Sequence, residues 1–273
     1  MSEFEGRVAV VTGAGSGIGR ALAVGLAERG ARVAISDVDA DGLVLTADQL
    51  TIRGAEYRSD RLDVTDRAAV LAYADEVADA FGTVNQVYNN AGVAFAGDIL
   101  TSSFAEIERV VDIDFWGVVN GTKAFLPHLI TSGDGHVVNI SSLFGLLAVP
   151  SQSAYNAAKF AVRGFTESLR QEMLVAGHPV RVTCVHPGGV KTNIARNATR
   201  TAAYADGKAL ERFERTVLRM PPSDAAKVIL TGVARNRARV LVGNDAKALD
   251  LLVRLTGSGY QQVVARLAQR TLS

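Results

Sequence analysis

Val8-Ala9-Val10-Val11-Thr12-Gly13-Ala14-Gly15-Ser16-Gly17-Ile18-Gly19-Arg20 decides how this chain is read. Val8 to Val11 is compact and rich in β-branched residues, which suits a strand buried on both faces. From Arg20 to Arg29, Leu22 and Leu26 recur at helical spacing, with charge at Arg20 and Glu28. The glycines therefore fall between a strand and a helix. There they let the chain turn tightly and bring backbone N–H groups toward an anion at the helix N-terminus. Glycine turns also occur for purely structural reasons, so it is the placement that gives this one its weight.

Outward from that stretch, short apolar runs alternate with longer amphipathic segments. Strands are expected at Arg32 to Ser36, Tyr57 to Leu62, Val84 to Tyr88, His136 to Ile140, Val180 to Val185 and Val240 to Val242. Helices are expected at Asp41 to Arg53, Asp66 to Phe81, Ser103 to Leu129, Ala154 to Ala176 and Ser223 to Asn236. Asn85 and Gln86 make the fourth strand unusually polar. The helix over 103–129 is apolar on most sides and should be buried on most sides. Such alternation points to an α/β chain, a parallel sheet of about seven strands with helices on both faces. Right-handed crossovers make the sheet doubly wound, with its crevice where the strand order reverses. Residues 1–245 are expected to form one domain, with 195–220 as a substrate lid and 246–273 as a C-terminal helical extension.

Composition narrows the function. The 273 residues are 48% hydrophobic with a formal net charge of +1. Basic runs that would suit nucleic acid and apolar stretches that would span a membrane are both missing from the sequence. Cys184 is the single cysteine, which excludes an intrachain disulfide; with no secretory pattern at the N-terminus, the expected location is cytoplasmic. His128, His136, His178 and His186 lie far apart and form no metal-ligand spacing, so no metal is expected.

Asp37 ends the second strand. An acidic residue there can hydrogen-bond a ribose 2′-hydroxyl and repel a 2′-phosphate, which favours NAD over NADP. Neither Val38 nor Ser16 offers a cation to a phosphate. The plainer reading is that Asp37 opens a solvated Asp-rich turn with Asp39 and Asp41. Farther along, Tyr155-Asn156-Ala157-Ala158-Lys159 sets a phenol and an ammonium four residues apart on one helix face. Lys159 should favour the phenolate and bring Tyr155 toward acid/base use near neutral pH. Such a pair is common by chance. What raises its weight is Ser142, thirteen residues upstream at a strand end.

Thr12 to Gly19, Asp63-Val64, Asn89-Asn90-Ala91-Gly92, Ser142, Tyr155, Lys159 and Pro187-Gly188 with Thr192 occur in the order and spacing of short-chain dehydrogenases. The chain resembles that family over roughly residues 6 to 243, which implies a Rossmann-type fold. The resemblance implies that Gly13, Ser16, Gly17, Ile18 and Gly19 cradle the dinucleotide, and that Asp63 and Val64 sit near its adenine. Asn90, Ala91 and Gly92 would lie beside the cofactor. Pro187, Gly188, Val190 and Thr192 would flank the nicotinamide, with Thr192 near its carboxamide. Tyr155 would be the acid/base, Ser142 would hold the substrate oxygen, and Lys159 would also bind the nicotinamide ribose. One position departs from the pattern: Asp114 stands where the family usually has an Asn that bends helix four and helps hold a water between the lysine and solvent.

The expected activity is hydride transfer between a secondary alcohol or ketone and NAD. The apolar run Leu143, Phe144, Leu146, Leu147, Val149 and Pro150 suggests a hydrophobic or cyclic substrate. A non-catalytic dinucleotide sensor or scaffold of the same fold is the alternative. A sugar-nucleotide epimerase is disfavoured, because residues 195–273 are short for its substrate domain. The helices expected over 103–129 and 154–176 are apolar on more than one face, and family members commonly pair through these helices, so a homo-oligomer is expected, a tetramer before a dimer.

Overall fold

Alternate residues of one strand feed two separate cores. Val8 and Val10 of β1 (Val8–Thr12) pack into one cluster, and Ala9 and Val11 pack into the other. The computed structural model describes residues 3–192, 194, 198–200 and 219–272. After β1 come α1 (Gly17–Ala27), β2 (Arg32–Asp37), α2 (Ala40–Ile52), β3 (Tyr57–Arg61), α3 (Arg67–Phe81) and β4 (Gln86–Asn89). Next are β5 (Phe95–Ala96), α4 (Phe104–Val111), α5 (Gly117–Thr131), β6 (Gly135–Ile140), α6 (Ser153–Ala176) and β7 (Val180–Pro187). The chain continues through β8 (Thr199–Arg200), α7 (Pro222–Ala234), β9 (Arg239–Val242), α8 (Asn244–Thr256) and α9 (Tyr260–Leu272).

Seven strands form one parallel sheet in the order β3-β2-β1-β4-β6-β7-β9. This is the expected doubly wound Rossmann-type sheet. Leu22 and Leu26 of α1, Leu50 of α2 and Ile229 and Leu230 of α7 cover one face. Val77 of α3, Phe125 and Leu129 of α5 and Leu169 of α6 cover the other. Chain order runs outward in both directions from the β1–β4 pair, so the crevice opens at the carboxyl ends of those two strands.

Three local features differ from the sequence expectation. The single helix over 103–129 is two helices, α4 and α5, joined by a π-helical turn at Asp112–Trp116. From that wide turn Asp114 faces inward and is fully buried, while Trp116 stays partly exposed. The fourth strand runs over Gln86–Asn89, two residues later than expected; Asn85 just before it bonds to Val8 through its backbone amide and also through its side chain, whose Oδ1 accepts from the Val8 amide at 3.0 Å. Two-residue strands β5 and β8 pair in parallel outside the main sheet, and neither is long enough to show an alternating pattern. Of the expected lid at 195–220, only 198–200, 219 and 220 are described; the rest lies outside the described residues.

Candidate active site

The glycine turn is locked to the end of β4. Gly13 and Gly17 have left-handed backbones, φ +65° and +53°, which any residue carrying a Cβ disfavours. A Cβ on Gly13 would sit 2.7 Å from the Ala91 Cα, and one on Gly19 would run into the Gly13 carbonyl. Thr12 ties the two segments: its Oγ1 accepts from the amides of Asn90 and Ala91 at 3.0 and 3.1 Å. The Asn90 side chain returns the contact, donating to the carbonyls of Thr12 at 2.9 Å and Gly13 at 3.1 Å.

Ser16 precedes α1 in extended conformation, and its side chain makes no cap among the described residues. The first turn of α1 carries no acidic side chain, so the positive end of the helix dipole is not neutralised from within. Asp37 ends β2, and its carboxylate accepts from the Gly15 amide at 2.8 Å and the Asp39 amide at 3.0 Å. Asp63 accepts from Thr65, leaving the adjacent Val64 buried with its carbonyl held by Asn120 Nδ2 at 3.0 Å. Ile18 packs partly into the core, and Val190 is buried in the same cluster. Pro187 ends β7, Gly188 follows it, and the Thr192 methyl lies 3.0 Å from where a Gly17 Cβ would stand. A cleft of about 330 Å³ opens here between Ser16, Gly17, Arg20, Asp39, Lys191 and Thr192.

The polar cluster forms where β6, α6 and the π turn meet. Tyr155 and Lys159 are both buried on α6, and Ser142 follows β6. The Lys159 ammonium lies 3.4 Å from Asp114 Oδ2, 3.4 Å from the Ile140 carbonyl and 5.5 Å from the centre of the Tyr155 ring. Asp114 Oδ1 accepts from the Val93 amide at 2.7 Å. Gly92 brings the loop after β4 into the cluster: a Cβ there would stand 3.1 Å from Asp114 Oδ1 and 3.3 Å from the Lys159 nitrogen. Phe144 meets the Tyr155 ring edge to face at 6.2 Å, while Ser142 Oγ accepts from the Phe144 amide at 3.1 Å.

Electrostatics correct one expectation. Lys159 and a hydrogen bond from Ser142 do favour the Tyr155 phenolate, but burial outweighs them and Asp114 adds its own opposition. The phenol is therefore held above its ordinary range. Burial also raises the Asp114 carboxyl, against the pull of Lys159 and the Val93 amide. Burial works against the Lys159 ammonium, yet Asp114 and Tyr155 together hold it above the ordinary lysine range.

Sequence spacing did not single out Asn139, Thr166 or His186, and Asn89 entered only as part of the family motif. Asn89 Nδ2 donates to Asn139 at 2.8 Å and to Thr122 at 3.1 Å, and Asn139 donates to Thr166 at 3.0 Å, a buried chain between β4, α5, β6 and α6. His186 sits behind Ser142, with Nδ1 2.9 Å from its carbonyl, and burial lowers its pKa to about 4. The usable signal was polarity inside apolar strands: Asn139 and His186 each interrupt one.

A family model described as short chain dehydrogenase matches residues 7–203. A Mycobacterium tuberculosis protein named "Putative oxidoreductase SadH" is 64% identical over 265 residues, covering 97% of this chain and 96% of its own. A short-chain dehydrogenase/reductase from Burkholderia phymatum, solved in complex with NAD, is 34% identical with a TM-score of 0.88, covering 96% of this chain and 97% of that one. A metagenomic short-chain oxidoreductase, solved with NADP, is 31% identical with a TM-score of 0.72, covering 88% and 98%. The match extends over most of the chain, and the chain belongs to the short-chain dehydrogenase family of oxidoreductases.

Proposed function

We propose that this chain transfers hydride between a hydrophobic secondary alcohol or ketone and NAD, with Tyr155 as the acid/base. The observation that carries the reading is the buried cluster of Ser142, Tyr155 and Lys159 at the end of the crevice that the glycine turn opens. The residues at that turn suit a dinucleotide. The uncapped α1 N-terminus answers a pyrophosphate, and the Asp37 carboxylate answers a ribose hydroxyl. Bound there, a nicotinamide dinucleotide supplies the hydride acceptor or donor. Ser142 and Tyr155 hold the substrate oxygen between their hydroxyls, and Tyr155 takes the alcohol proton in oxidation or returns it in reduction. Lys159 stabilises the phenolate, and Asp114 sets how strongly it does so. Leu143, Leu146 and Leu147 are taken up by packing against the C-terminal helices, and it is the partly buried Phe144, edge to face with Tyr155, that offers the substrate an apolar wall.

We further infer a cytoplasmic location and a homo-oligomer. Trp116 and Phe160, 43% and 39% exposed on the π turn and α6, are the apolar surface that assembly would cover. No helix among the described residues is long and apolar enough to cross a membrane. The test is direct: full-length protein with NAD and a panel of lipophilic secondary alcohols should produce NADH absorbance. Binding of NADH without any turnover across the panel, in either direction, would favour the non-catalytic alternative.

A further inference from the structure

The C-terminal helical pair sends one polar anchor to each of the two loops that bound the site. The first reaches the segment after β7. Gly188 donates its amide to the Val242 carbonyl at 2.9 Å, and Gly189 donates to Asp245 Oδ2 at 2.7 Å. Asp245 stands in the first turn of α8, after a turn at Gly243 with φ +105°. Its carboxylate lies so close to Gly188 that a Cβ there would run into it. From the other side, the Gly189 carbonyl accepts the amides of Arg219 and Met220, both at 3.0 Å. The loop from Pro187 to Thr192 is thus gripped between α8 and the start of the α7 segment.

The second anchor reaches the loop between Ser142 and Tyr155. Tyr260, the first residue of α9, is buried, and its hydroxyl oxygen accepts from the Ala148 amide at 3.0 Å. Around it, Leu143, Leu146 and Leu147 pack with Ala246 and Tyr260 into a cluster of their own. Phe144 packs partly against this cluster and partly against Tyr155. Side chains in contact therefore run from α9 to the tyrosine. A helical pair that merely covered the core would need only apolar contacts, whereas here both polar anchors end on site loops.

We propose that the C-terminal helical pair braces the site, with Asp245 positioning the loop after β7 and Tyr260 positioning the loop after Ser142. The inference rests on the dinucleotide reading above and assigns the two anchors to separate halves of the site. Asp245 acts on cofactor affinity through Gly188 and Gly189. Tyr260 acts on the substrate wall and leaves cofactor affinity alone.

The test uses the full chain as wild type, Asp245→Ala, Asp245→Asn and Tyr260→Phe. NADH affinity is read by fluorescence titration, and amide hydrogen exchange is read on peptides covering 143–152 and 187–192. Losing a hydrogen bond to a carboxylate should weaken NADH about tenfold in Asp245→Ala, with faster exchange confined to 187–192. Asp245→Asn keeps an oxygen that can accept from Gly189 and should recover most of that loss. Tyr260→Phe should leave the NADH Kd unchanged and speed exchange only in 143–152. Should Asp245→Ala not fold, Gly188→Ala disturbs the same contact and should weaken NADH in the same way. Unchanged NADH binding in both the Asp245 and Gly188 variants, or equal loosening of both peptides by either anchor variant, overturns the brace while leaving the oxidoreductase reading intact. A wild type that binds no NADH overturns both.

Discussion

Asp114 is the residue at which this site departs from its family's usual pattern, and its charge adds to burial in opposing Lys159. It is fully buried, 3.4 Å from Lys159, and it opposes formation of the Tyr155 phenolate. Alcohol oxidation needs the phenolate, so a raised phenol pKa places the rising limb of the oxidation profile at higher pH. Asp114→Asn removes the opposing charge, lowers the Tyr155 pKa and should move that limb toward neutral pH. Paired pH–rate profiles with one alcohol check this, and superimposable curves would place Asp114 outside the reaction. Asp37 carries the second expectation at this scale: Asp37→Ala should reduce the preference for NAD over NADP by about tenfold, measured as a ratio of kcat/KM values. A wild type that prefers NADP would reject the assignment. Ser142, Tyr155 and Lys159 were legible because two of them share one helix face and the third ends an apolar run. Asp245 and Tyr260 were not, since their partners lie 56 and 112 residues away and no local spacing records such a contact.

Elements were legible wherever burial is two-sided. The β-branched runs of β1 and β7 sit under helices on both faces, so their composition alone marks them as central parallel strands. The break between α4 and α5 left no such mark in composition or periodicity; only the family resemblance pointed to a bend, at Asp114. There the Val93 amide and the Lys159 ammonium receive a fully buried carboxylate. Packing between elements shows how the sheet is clamped. Gly25 of α1 leaves room for Leu230 of α7, whose Cδ1 would lie 3.0 Å from a Cβ at that position. Leu230 is fully buried, so Leu230→Ala should lower unfolding stability by about 2–5 kcal/mol in urea titration. A loss below about 0.5 kcal/mol would mean that this helix pair contributes little to the fold.

Across the whole molecule, the buried histidines tie stability to pH. His136 is buried in β6, 2.8 Å from Thr183 Oγ1, and burial lowers its pKa to about 3; His186 is lowered to about 4. Both are neutral when folded and take up a proton on unfolding below about pH 6.5, so their contribution is complete above that pH and falls as acid is added. Each should cost about 1.4 kcal/mol per pH unit on descending from pH 6.5 toward its folded value. His136→Gln should therefore show a flatter fall in Tm between pH 7 and 5 than the wild type, and parallel curves would contradict this. Strand-helix alternation and the glycine turn suggested the class of molecule at the outset, yet the way in which Asp245 and Tyr260 contact the site loops emerges only in three dimensions. Everything in the functional account turns on one hydroxyl. The most direct measurement is steady-state oxidation of a secondary alcohol by wild type and Tyr155→Phe, with NADH binding followed in parallel. Turnover should fall by about 10²-fold or more while NADH still binds, because the variant keeps the ring and loses only the proton carrier. Turnover retained within a few-fold of wild type would contradict the account.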